Sequence, residues 1–198
     1  MIRSLTSFSF IPLLLISCST KIISNNYYQQ HKGTVDSIES RYEKLNAVNP
    51  FSLAFTDKKL NILSLELISD TLTRIYEFNV NENRLADTLI KYDYDTTGVF
   101  YLTRKMKSTK VTWINSFDYY VNDQPQQLIL LSIKPVTIRY LFSPPKYIVL
   151  AYFRTAQSFD EKGRLLDSRR TKVLRKIKGQ VFYRITDRIC YTIMEKYR

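Results

Sequence analysis

The sequence predicts a mainly β, α+β fold: a curled antiparallel meander of about nine or ten strands with a helix at each end. Three observations predict it. Apolar residues recur at every second position in short segments from Phe51 onward. Asp, Asn, Gly and Pro punctuate those segments. Stripes at three-and-four spacing flank them on both sides.

The first helix is expected over 34–48. Thr34 follows Gly33 as N-cap, and Asp36 sits in the positive first turn. Val35, Ile38, Tyr42 and Leu45 form one stripe, and Asn49-Pro50 ends it. Alternation then begins. Leu63-Ser-Leu-Glu-Leu67 reads as a strand, and Leu72, Tyr76, Phe78 and Val80 continue it beyond a turn at Asp70. Leu89–Asp95, a Thr96-Thr97-Gly98 turn and Val99–Arg104 read as a hairpin. Further strands are expected at 110–115, 127–133 and 136–142.

Ser143-Pro-Pro-Lys146 reads as a connection, and Tyr147–Phe153 is apolar without alternation, the pattern of a strand covered on both faces. Ser158–Gly163 makes a hairpin turn into a long basic strand ending at Lys178. Phe182, Ile185, Ile189, Cys190, Ile193, Met194 and Tyr197 then fit one face of a C-terminal amphipathic helix. A sheet of this size curls or closes. The element order resembles that of lipocalins and of the half-barrel carriers that sort lipoproteins, which implies a pocket under the sheet. The likeness is partial, because no Gly-x-Trp opens the first strand and the only tryptophan, Trp113, lies mid-chain.

Ahead of this domain, residues 1–17 have the layout of an export signal: Arg3, an apolar run from about Phe8 to Ile16, then small residues. The run is too short to span a bilayer, which takes roughly 20 residues. Leu15-Ile16-Ser17-Cys18 resembles the lipobox of bacterial lipoproteins. That resemblance implies cleavage before Cys18 and acylation of its thiol, with two or more acyl chains holding the protein stably at a membrane. Ser19, in place of an aspartate, together with the non-acidic residues after it, implies an outer-membrane lipoprotein facing the periplasm. Residues 18–33 are rich in Asn, Gln and Ser and are expected to be a flexible tether of roughly 20 Å, leaving 34–198 as a single domain.

Charge is lopsided. The chain carries a net +12, and residues 133–198 hold 16 Lys and Arg against 5 Asp and Glu. Arg170, Lys172, Lys176 and Lys178 share one side of the basic strand, with Arg169 beside them. In a cytosolic protein such a row would suggest nucleic acid. In the envelope it suggests anionic lipid or an acidic protein, although lysines on an edge strand also block aggregation with no partner at all.

The catalytic repertoire is thin. The single histidine, His31, falls in the expected tether, so a His-based triad is not expected. One cysteine besides Cys18 and one histidine make no zinc site, and four scattered glycines make no phosphate loop. Asp93 and Asp95, on one side of a strand, are expected to face solvent. Cys190 reads as a small buried residue. The expectation is therefore a non-enzymatic binding or scaffolding module without a cofactor, tethered through Cys18. The alternative is a carrier of lipid or another apolar ligand.

Overall fold

The computed structural model describes residues 12–121, 124–138, 146–166 and 181–194, with side chains for all of these except 12–19, 120, 121 and 134–138. It is an open antiparallel meander joined by three helices. The strands are β1 (Phe51–Phe55), β2 (Ile62–Ile68), β3 (Thr73–Asn79), β4 (Val111–Val121), β5 (Gln124–Ile138), β6 (Lys146–Phe153), β7 (Tyr183–Arg184) and β8 (Ile189–Met194). The helices are α1 (Pro12–Val48), α2 (Asn83–Lys91) and α3 (Thr96–Thr109). Among the described residues the sheet runs β3-β2-β1-β4-β5-β6-β8-β7, and it does not close as a lipocalin barrel would.

Alternation assigns the two faces. Leu53, Leu65, Ile114, Leu131, Leu150 and Tyr191 point to one face and meet Val35, Ile38 and Tyr42 of α1 and Leu102 and Met106 of α3 in the main core. Ala54, Trp113, Leu130, Val149, Ala151 and Cys190 point to the other face and form a second cluster. Phe182 belongs to it too, and Phe159 and Leu165 pack against it. With both faces occupied, six consecutive residues of β6 are buried, which is why its sequence does not alternate.

Two hairpin turns share one device. Asp57 Oδ1 accepts from the backbone N–H of Asn61 and Ile62, and Asp160 Oδ1 from that of Lys162 and Arg164. Each turn has a left-handed residue at its fourth position, Leu60 (φ 59) or Gly163 (φ 73). Leu60 bears the strain of that conformation as a non-glycine, and its burial in the main core offsets it.

Three expectations are corrected. The hairpin read across 89–104 is helical: Leu85 and Leu89 of α2, and Val99, Leu102 and Met106 of α3, fall at helical spacing and are all buried. Asp95 caps α3 by accepting from Gly98 N–H at 2.8 Å, and so starts a helix where a strand turn was expected. The C-terminal helix is replaced by β7 and β8. Ile189, Tyr191 and Ile193 alternate with Cys190, Thr192 and Met194, and β8 pairs with both β6 and β7. A run that is apolar on both faces fits either period, and its β-branched and aromatic residues favour the strand.

The third correction concerns the tether. Residues 18–33 belong to α1, and from Thr20 onward they are packed. Thr20, Ser24, Tyr27 and Tyr28 are buried, and they continue the stripe of Val35, Ile38 and Tyr42 toward the N-terminus. Tyr27 donates to the Thr109 carbonyl at 2.8 Å, so the segment is fixed to the end of α3. Gly33 looked like a helix boundary but lies inside α1, with nothing within 4 Å of where a Cβ would stand. Gly33→Ala is therefore expected to stabilise the fold by about 0.5–1 kcal/mol. A lowered melting temperature would contradict this placement.

Candidate functional site

Among the residues expected to carry function, Cys18 lies in the N-terminal part of α1, and Thr20, the second residue after it, is buried. The basic row of Arg169, Arg170, Lys172, Lys176 and Lys178 lies outside the described residues. Of these two places, only the start of α1 has described side chains, from Thr20 onward. Helical spacing places Lys21 and Ile22 three and four residues after Cys18, on the same face of α1. Ile22 and Ile23 are both exposed. Lys21 and Asn25 border a groove of about 440 Å³ whose far wall is the Asp160–Gly163 turn with Tyr183 and Arg184.

A second groove, about 360 Å³, lies between α1 and α3 and is lined by Ser37, Ser40, Arg41, Lys44, Thr97 and Tyr101. Its walls are joined by a Ser37–Tyr101 hydroxyl contact at 2.7 Å and by the Arg41–Asp95 ion pair at 2.7 Å. Asp95 thus caps α3 and pairs with α1 at once, and it does not sit on a strand beside Asp93. Asp93 is left-handed (φ 58) and occupies the turn after α2. The groove presents donors and hydroxyls, with the charge of Arg41 matched by Asp95. His31, the natural base for such hydroxyls, lies with its ring centroid 4.8 Å from that of Tyr27. Among the described residues no group of three His, Cys, Asp or Glu side chains could hold a metal ion.

A third cluster is internal. Tyr28 and Tyr152 both donate to Asp36, at 3.3 Å each to Oδ1, and so tie α1 to β6. Burial raises the pKa of both phenols, and the nearby Asp36 charge adds to it. Next to them, Glu39 faces Arg188 at 3.9 Å. Burial, then the charge of Glu43, raises the Glu39 pKa against the opposing pull of Arg188. Its proton is therefore held more tightly in the folded than in the unfolded chain. Stability from this group is full below the ordinary carboxylate range and is lost as pH rises through the raised folded value. Glu39→Gln should flatten that part of the stability–pH curve and leave the acid end unchanged. An unaltered curve would remove Glu39 from the account.

Cys190 is buried in the second cluster, and burial pushes its thiol pKa up to about 12. It is chemically quiet. The residues missed in the sequence are those of the packed α1 extension. A signal for them was present, since Tyr28, Val35 and Tyr42 recur at seven-residue intervals.

Compared with known proteins, the chain matches no family model, no curated protein and no solved structure. No helix among the described residues is long and apolar enough to cross a membrane.

Proposed function

We propose that the chain is a cell-envelope lipoprotein whose domain acts as a non-enzymatic binding or scaffolding module, held at the membrane through Cys18. The observation that carries this reading is Leu15-Ile16-Ser17-Cys18 at the end of the apolar run, with the packed domain starting at Thr20. The residues after Cys18 favour the outer membrane and its periplasmic face. The excess of Lys and Arg after residue 132 suits an acidic envelope protein or anionic lipid as partner. A carrier would need an apolar cavity. The two grooves described are lined by charged and hydroxyl side chains, and buried side chains occupy both sheet faces. Scaffolding is therefore the better supported reading.

Fractionation tests it. The protein should pellet with membranes and stay there through high salt, because acyl chains resist screening and surface charges do not. Cys18→Ser should abolish that retention. A Cys18→Ser protein that still pellets through high salt would refute the lipid anchor.

A further inference from the structure

Building on Cys18 as the anchor, we propose that the start of α1 is a bilayer-docking surface: Ile22, with Lys21 and Ile23 on its two flanks, seats on an anionic phospholipid surface and holds the domain against it. The sequence alone suggested a leash of about fifteen residues; the fold leaves almost none. Thr20 is 5% exposed, so packed structure begins two residues after the anchor. Two Cα steps span at most about 7 Å. Any lipid on Cys18 therefore brings the bilayer within about that distance of the fold.

The surface brought to the membrane has the composition for it. Ile22 is 56% exposed and Ile23 38% exposed, apolar side chains that gain by entering the interfacial zone. Ile22 lies one helical turn, about 6 Å along the axis, from Cys18 on the same face. Lys21 precedes it on α1, and Lys162 of the opposite turn lines the same groove as Lys21. Among the described residues neither lysine is in an ion pair, whereas Arg164 and Arg184 pair with Asp160 and Asp187. Glu161 borders the same groove beside Lys162, which leaves Lys21, next to Ile22 on α1, as the cation set to meet lipid. Apolar side chains with an adjacent cation, next to an acylated residue, form the two-signal arrangement that converts marginal into stable membrane binding.

The test attaches one 14-carbon chain to Cys18 through a maleimide, on the chain that begins at Cys18. Buried Cys190, with its thiol pKa near 12, does not compete for the reagent. One such chain alone binds vesicles with an association constant of about 10⁴ M⁻¹. On phosphatidylcholine vesicles containing phosphatidylglycerol, the protein should bind at least about tenfold more tightly than that. Ile22→Asn with Ile23→Asn should remove the gain. Lys21→Glu should weaken binding to the mixed vesicles and leave binding to pure phosphatidylcholine unchanged. Val48→Asn with Ile90→Asn, at sites 77% and 68% exposed elsewhere on the surface, should change nothing.

Binding no tighter than the acyl chain alone, or equal losses for both pairs of substitutions, would overturn the proposal. All four isoleucine and valine sites are exposed, so thermal unfolding should be unmoved and a folding defect would show there. Because the chain is attached chemically, this result is independent of whether cells acylate Cys18, which the fractionation reads.

Discussion

Tyr42→Ala is expected to cost about 3–5 kcal/mol, on the scale of truncating a large buried aromatic. Tyr42 is fully buried where α1 crosses the sheet, and its ring centroid lies 5.1 Å from that of Phe51 at the start of β1. Phe51 in turn meets Tyr94 edge-on at 5.8 Å, so the three rings join α1, β1 and the loop before α3. The Tyr42 hydroxyl donates to the Phe51 carbonyl, a bond that alanine would remove inside the core. Domains of this size are stable by about 5–15 kcal/mol in all, so the variant should sit close to the unfolding threshold. Tyr42→Phe keeps the ring and loses only the hydrogen bond, for about 1–2 kcal/mol. Urea unfolding of both variants checks the order. A cost below about 1 kcal/mol for the alanine would mean that α1 does not complete the main core.

The second large effect is at Gly98, in the first turn of α3. A Cβ there would stand 2.7 Å from Asp95 Oδ2, 2.9 Å from Arg41 Nη2 and 2.9 Å from Leu45 Cδ1. The arginine and leucine tips can swing away. Asp95 cannot do so cheaply, because its carboxylate accepts the Gly98 N–H and holds the ion pair with Arg41. Gly98→Ala should cost about 1–3 kcal/mol, the usual range for overpacking, and Gly98→Val should cost more. The mechanism makes a sharper demand. In an Asp95→Ala background the cap and pair are already gone, so the cost of Gly98→Ala should fall. The same cost in both backgrounds would place the strain elsewhere.

Where the sequence was read correctly, one physical signal dominated. Leu63, Leu65 and Leu67 alternate with exposed or polar neighbours, and Asn49-Pro50 stops α1 where the chain must enter β1. The Ser158–Gly163 turn was legible because Asp160 and Gly163 supply the hydrogen bonds and the positive φ that it needs. Sequence pattern and structure part where two periods fit the same residues. Val99, Leu102 and Met106 are spaced for a helix, but the neighbouring Phe100 and Tyr101 raise strand propensity, and the Asp95 cap with packing against α1 decides between them. Ile189–Met194 is apolar on both sides because it lies inside the sheet, so no stripe could reveal it.

The N-terminal end was half legible. Cys18 stood out by its local pattern. The polar composition of 19–33 hid a packed helix, because Tyr27 and Tyr28 are separated from Val35 by two turns of Gln, His, Lys and Gly. Gln29, Gln30, Lys32 and Gly33 there are exposed, and α1 spans them because packing on either side holds it. With a lipid on Cys18, as proposed, a packed start would leave little slack between lipid and domain.

The proposed function as an envelope lipoprotein depends on the chemical state of the Cys18 sulfur, and mass spectrometry of the intact protein, extracted from membranes in detergent, reads it most directly. The account predicts a chain beginning at Cys18, lacking residues 1–17 and heavier than its amino acids by a diacylglycerol, with or without a further acyl group. An intact residue 1–17 segment ahead of an unmodified Cys18 thiol would contradict it.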